Sequence, residues 1–163
     1  MSKDPWLLVL KNFLSSEEID EIVKEFSNGW KRSVAGGVFD EGNVKHGRTS
    51  ENQWCYQDCE AKPSMRLLLD RVEEVTGISN SNYENAQILR YLPGQHYTEH
   101  SDFIKVQNRQ PCGPRVLTFF VYLTDTDGAG TRFPRLGVTV PSLKGQAALW
   151  PSVQVDDIWQ EEV

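Results

Sequence analysis

Tyr91-Leu92-Pro93-Gly94-Gln95-His96-Tyr97-Thr98-Glu99-His100-Ser101-Asp102 is the stretch on which the reading of this chain turns. His100 and Asp102 stand two positions apart. Successive side chains alternate faces along an extended strand, so a strand here sends the imidazole and the carboxylate to the same side. Such a pair supplies two ligands of the two-His, one-carboxylate set that binds non-haem Fe(II) and leaves coordination positions open. Nitrogen and oxygen donors without thiolate suit Fe(II) better than a soft metal. A His-x-Asp pair alone also occurs in solvated loops that bind nothing, so the flanking sequence has to supply the context. His96 is read as facing solvent or lining a loop, and His46 carries no signal.

Working outward, the C-terminal half has the texture of strands. Ala86 to Tyr91 alternates, Val116 to Thr124 is rich in β-branched and aromatic residues, and Val138–Val140 and Ala147–Trp150 follow. Asp125–Gly130 and Pro141–Gly145 read as the turns between them. If Val116–Thr124 is a strand, Thr118, Phe120 and Tyr122 share one face. The N-terminal half carries two helices. A short strand, Trp6–Leu10, leads into the first, where Ser15 and Glu18 form a capping box and Leu14 can staple to Ile19. Ile19, Ile22, Val23 and Phe26 then make one apolar face, and Asn28-Gly29 closes the helix. A strand or two with glycine-bearing loops is expected over residues 31–57. The second helix covers Ser64–Thr76, with Met65, Leu68, Leu69, Val72 and Val75 buried and Gly77 as the C-terminal cap. Two helices followed by a run of short strands predict an α+β fold, the helices packed on one curled antiparallel sheet. No linker or repeat interrupts residues 1–163, which read as a single domain.

Composition narrows the function classes. The chain has 163 residues, 39% hydrophobic and 25% charged, with a net charge of −6. That balance is ordinary for a globular protein, and an acidic chain is a poor match for nucleic acid. No apolar run reaches the roughly 20 residues of a membrane span, and the N-terminus lacks the apolar core of a signal peptide. The expectation is a cytoplasmic protein with neither a membrane nor a nucleic-acid partner. Cys55, Cys59 and Cys112 show neither a disulfide framework nor zinc-like spacing, and are read as reduced thiols.

The motifs around the central stretch resemble those of the animal, plant and algal prolyl 4-hydroxylase family, and the resemblance runs along nearly the whole chain. Asn12-Phe13-Leu14-Ser15-Ser16-Glu17-Glu18 matches its opening helix, and Arg48-Thr49-Ser50 its Arg-Thr-Ser stretch. Glu84, Gln87, Leu89 and Tyr91 precede the metal segment as in the family, followed by Gly94, Gln95, Tyr97, His100 and Asp102. Arg115, Thr118, Tyr122 and Leu123 come next, then Gly128, Gly130, Thr131, Phe133 and Pro134, and finally Pro141, Gly145, Ala148 and Leu149.

The resemblance implies a double-stranded β-helix, a jelly-roll-like barrel with the metal in its mouth. It implies Fe(II), 2-oxoglutarate, O2 and ascorbate as cofactors and co-substrates, and hydroxylation of proline in a proline-containing peptide or protein. His100 and Asp102 become the metal ligands. Tyr91 and Tyr122 line the 2-oxoglutarate pocket with the Thr131 hydroxyl nearby, Tyr122 donating to the co-substrate's distal carboxylate. Tyr97, Arg48, Trp54 and Arg115 become peptide-groove residues, their aromatic and guanidinium groups being suited to polyproline II segments. The family's pattern also places a second His ligand and a Lys after the strand that ends in Trp150-Pro151-Ser152; residues 153–163 contain neither. The expectation is therefore a site and barrel short of their last strands, read as a fragment of an active enzyme. The alternatives are a non-catalytic module that binds proline-rich peptides, or a hydroxylase of another peptidyl or small-molecule substrate.

Overall fold

The computed structural model describes residues 5–26, 28–33, 47–104, 107–108 and 113–153. In chain order the elements are β1 (Leu8–Leu10), α1 (Ser16–Glu25), β2 (Lys31–Arg32), β3 (Glu51–Trp54), α2 (Gln57–Glu60), α3 (Pro63–Thr76), β4 (Gln87–Arg90), β5 (Leu117–Val121), β6 (Thr126–Phe133), β7 (Val138–Ser142) and β8 (Ala147–Pro151). They fall into two compact units. The first takes segments 1–20, 101–108 and 113–163, and the second takes 21–100 and 109–112.

Within the first unit, β1, β8 and β5 form an antiparallel sheet in that order, and β6 pairs with β7. The centre strand β8 is flanked on both sides, so it carries small residues: Ala147 and Ala148 are fully buried. The register sets Val9 opposite Ala148 and Ala148 opposite Phe120, with Thr118 opposite Trp150. Because the side-chain period is two, these residues share a face. That face meets the β6–β7 pair in a core of Leu7, Tyr122, Val140 and Ala148, on which Phe120, Phe133, Val138 and Trp150 pack. Phe133 and Trp150 meet edge to face at 5.1 Å. The shared face of Thr118, Phe120 and Tyr122 is thus as read, and it looks inward.

The start of α1 is also as read. Ser15 N–H donates to Glu18 Oε2 at 2.8 Å and Glu18 N–H to Ser15 Oγ at 3.2 Å, while Leu14 and Ile19 are both buried. Gly145, at φ +82°, allows the β7–β8 turn to reach this helix entry: a Cβ there would lie 2.4 Å from the Leu14 carbonyl oxygen. Its own carbonyl accepts from Phe13 N–H at 2.7 Å. The helix ends at Glu25 rather than at Asn28-Gly29, because Phe26 N–H turns back to the Val23 carbonyl in a tighter closing turn.

In the second unit, β2, β3 and β4 form an antiparallel sheet. α3 begins with Pro63 at its first turn and stops at Gly77, whose left-handed φ of +68° lets its N–H bond the Glu73 carbonyl. Met65 and Val72 are buried as expected, but Val75 is 45% exposed, as is Val23 of α1 at 46%. Both lie at the border of an apolar stripe that is wider in the sequence than the contact each helix makes.

Three further expectations are corrected. Asp125–Gly130, read as a turn, is largely strand β6, which pairs with β7 across a register shift between Thr126 and Gly130. Glycine removes the steric obstacle there, since a Cβ on Gly130 would lie 2.3 Å from the Val140 carbonyl. Cys55 and Cys59 form a disulfide rather than two thiols. The unanticipated turn of helix α2 folds the chain back and sets their Cα atoms 5.1 Å apart, within the bridging range. Finally, residues 98–104 form no strand. Local bonds take the ladder's place: Phe103 N–H donates to Ser101 Oγ, and the His100 ring bonds the Thr98 carbonyl.

Candidate active site

In the first unit, the inward face of the β5–β8 pair presents two hydrogen-bond donors to Asp102. Thr118 Oγ1 donates to Asp102 Oδ2 at 2.8 Å, and Trp150 Nε1–H donates to the same oxygen at 3.2 Å. The register that puts Thr118 opposite Trp150 creates this pair of donors. Thr118 also lies 2.9 Å from Ser152 Oγ. A carboxylate only accepts, so the Thr118 proton goes to Asp102 and Ser152 must donate to Thr118. The result is a directed chain, Ser152 to Thr118 to Asp102, in which each bond polarises the next.

Further along the same core, Tyr122 is 5% exposed and its hydroxyl donates to Thr131 Oγ1 at 2.7 Å. Burial pushes the Tyr122 phenol above its ordinary pKa, with the bond to Thr131 opposing that shift. The phenol therefore stays neutral well past physiological pH, while the Thr131 hydroxyl retains its own proton to donate. Arg115, just before β5, is partly buried.

In the second unit, residues 47–49 run antiparallel to 96–98. Thr98 N–H donates to the Gly47 carbonyl at 2.7 Å, and Thr49 N–H to the His96 carbonyl at 2.8 Å. These bonds flank the bridge between Arg48 and Tyr97 and make it a non-hydrogen-bonded pair, the type whose side chains come closest. The Arg48 guanidinium lies 4.6 Å from the Tyr97 ring centroid. The His100 imidazole stacks on that ring at 3.5 Å and 16°. His100 Nδ1 lies 2.7 Å from the Thr98 carbonyl oxygen. A carbonyl can only accept, so Nδ1 carries the proton, and in the neutral ring the lone pair is on Nε2.

Each sequence-derived candidate thus has a place. His100 belongs to the second unit and Asp102 to the first. Tyr91 is 42% exposed, against the interior position expected of it, and Trp54 at the end of β3 is 37% exposed. His96 is exposed, as read; His46 lies outside the described residues. Sequence reasoning missed Trp150 and Ser152 as groups acting on Asp102, and saw Thr118 only as an interior residue. The motif Arg115-x-x-Thr118 and the run Trp150-Pro151-Ser152 were visible, but their meeting depends on strand register.

The donors present suit Fe(II): one imidazole presenting Nε2 and one carboxylate, each held by outer hydrogen bonds of the kind that orient metal ligands. Among the described residues, no three His, Cys, Asp or Glu side chains gather as a metal-holding group.

Residues 86–157 match the model of the 2OG-Fe(II) oxygenase superfamily. The chain is 30% identical to prolyl 4-hydroxylase 1 of Arabidopsis thaliana, over 96% of this chain and 61% of that protein. It is 26% identical to prolyl 4-hydroxylase subunit alpha-2 of Caenorhabditis elegans, over 94% of this chain and 29% of that one. It therefore spans less than two thirds of these relatives. Among solved structures, it resembles the viral collagen prolyl hydroxylase of Paramecium bursaria Chlorella virus-1 in its 2OG complex, with TM-score 0.64, 21% identity, and coverage of 90% of this chain and 77% of that one. A Pseudomonas putida prolyl-4-hydroxylase superposes equally well, with TM-score 0.64, 18% identity, and coverage of 91% and 81%. The fold is that of these hydroxylases. The part that resembles the 2OG-Fe(II) oxygenase superfamily runs from β4 through β8 and includes His100 and Asp102. Along most of its length the chain is similar to prolyl 4-hydroxylases.

Proposed function

We propose that this chain is the catalytic part of an Fe(II)- and 2-oxoglutarate-dependent dioxygenase that hydroxylates proline in a proline-containing peptide or protein. The observation that carries the reading is the treatment of Asp102, a carboxylate in the family's metal position that receives two side-chain donors from paired strands. We read the sheets as parts of a double-stranded β-helix and residues 1–163 as one oxygenase domain. His100 and Asp102 serve as metal ligands. Tyr122 and Thr131 serve the co-substrate; the Tyr122 hydroxyl proton is given to Thr131 rather than held for a carboxylate, which leaves the Thr131 hydroxyl as the donor of the pair. Tyr91 stands with them on family grounds. Arg48, Trp54, Tyr97 and Arg115 serve the peptide.

Bound Fe(II) with 2-oxoglutarate and O2 supplies the oxidising power to hydroxylate an unactivated C–H bond, with succinate and CO2 as co-products and ascorbate keeping the iron reduced. The chain's own residues orient donors. The Ser152–Thr118 relay and Trp150 hold one oxygen of Asp102, and the Thr98 carbonyl sets the tautomer of His100.

The test supplies Fe(II), 2-oxoglutarate, ascorbate and a proline-rich peptide to the chain, and in parallel to the chain with the family's distal His- and Lys-bearing segment appended. Two protein donors hold a metal weakly, so the appended form is expected to release succinate coupled to hydroxyproline, and His100→Ala to abolish it. Peptide binding with no succinate from either form would replace this reading with the non-catalytic module.

A further inference from the structure

Arg48 and Tyr97 entered as peptide-groove residues, yet their geometry is directed at His100. The His100 imidazole lies almost parallel to the Tyr97 ring at 3.5 Å. An imidazole that close occupies the face, so the guanidinium 4.6 Å from the same centroid must take the other one. Tyr97 is then the middle layer of a three-layer stack: guanidinium, phenol ring, imidazole. The stack is anchored in the backbone, because the bridge at Arg48 and Tyr97 is flanked by the bonds between Thr98 and Gly47 and between Thr49 and His96. Gly47 admits Thr98 to this position, since a Cβ there would lie 2.6 Å from the Thr98 hydroxyl. The same Thr98 presents its carbonyl to His100 Nδ1.

We infer that Arg48 and Tyr97 are positioning residues for His100, fixing its ring plane by stacking while the Thr98 carbonyl fixes its tautomer, so that Nε2 is aimed before any metal arrives. The need follows from exposure. His100 is exposed and lies outside any strand, so no ladder orients it, and an imidazole that had to settle its ring plane at each binding event would lose conformational freedom there. Stacking on an anchored aromatic removes that freedom in advance. Arg48 contributes through Tyr97, holding the electron-rich ring from its second face. The inference rests on His100 being a metal ligand, as proposed above.

The test uses the full chain with Co(II) as the probe and two readouts. In the metal-free protein, the His100 ring protons should show the upfield NMR shift of a group stacked on an aromatic face. Tyr97→Phe should keep that shift and Tyr97→Leu should abolish it. In Co(II) titrations, Tyr97→Leu should weaken binding about tenfold, at the low end of what lost outer-shell support costs. Tyr97→Phe should bind like the parent, and Arg48→Gln should fall between. Unshifted His100 protons in the parent chain would overturn the stack. Parental Co(II) affinity in Tyr97→Leu, alongside lost binding in His100→Ala, would overturn the positioning role and leave the ligand assignment standing. Unchanged affinity in His100→Ala would overturn the ligand assignment itself, and the positioning role with it.

Discussion

Thr118→Val isolates what the hydroxyl relay does for Asp102. Valine keeps the β-branched shape that packs in β5, so the sheet loses a proton donor and little volume. The deleted bond is a hydroxyl to a carboxylate at 2.8 Å in a half-buried setting, and Trp150 still donates to the same oxygen. Hydrogen bonds to charged groups contribute about 1.5–3 kcal/mol. In the metal-free protein the carboxylate can turn toward water and recover much of that. With a metal bound it has to keep one orientation without the hydroxyl behind it. Most of the cost therefore falls on affinity. With the indole bond surviving, about 1.5–2 kcal/mol is the working figure, or roughly 10- to 30-fold in Kd, at the lower end of the range for lost outer-shell partners. Calorimetric titration with Co(II), beside thermal melts that verify the fold, measures this directly. Ser152→Ala, one bond further away, should cost less. A Thr118→Val Kd within about twofold of the parent, while Asp102→Ala loses binding, would refute the orienting role of the relay. Unchanged binding in Asp102→Ala would refute the ligand itself.

Two further outcomes test the scaffold. Gly145→Ala combines a left-handed φ with a Cβ placed 2.4 Å from the Leu14 carbonyl oxygen, and should cost at least about 2 kcal/mol, lowering Tm by roughly 4–8 °C; Gly137→Ala, with a left-handed φ but open space, should cost less. Because burial raises the Tyr122 pKa, the native state binds more protons than the unfolded chain once pH passes the ordinary tyrosine value of about 10. The Tyr122 contribution is complete below that pH and declines as pH rises toward the folded pKa. Tyr122→Phe should flatten this part of an alkaline melting profile, and an unchanged slope would refute it.

Much of the local structure was legible because its causes are local. Ser15 and Glu18 cap α1 with bonds that span three residues, and Pro63 and Gly77 bracket α3 through their own backbone preferences. The β-branched and aromatic run at Leu117–Val121 becomes a strand as its composition dictates. The ordered motifs likewise carried the resemblance to prolyl 4-hydroxylases that the comparisons repeat. What the sequence could not decide depends on partners distant in the chain. β6 is poor in strand-forming residues and exists through its pairing with β7 and the bare approach of Gly130 to Val140. Cys55 and Cys59 pair because a single helical turn folds between them. Conversely, the His100–Asp102 segment has strand spacing but no ladder, since its polar side chains bond locally. The donors to Asp102 come from Thr118, 16 residues away, and Trp150, 48 away. Spacing along a chain can say which groups a short segment presents. Which donors stand behind a carboxylate is set by the register of two strands, and register is a property of the folded sheet.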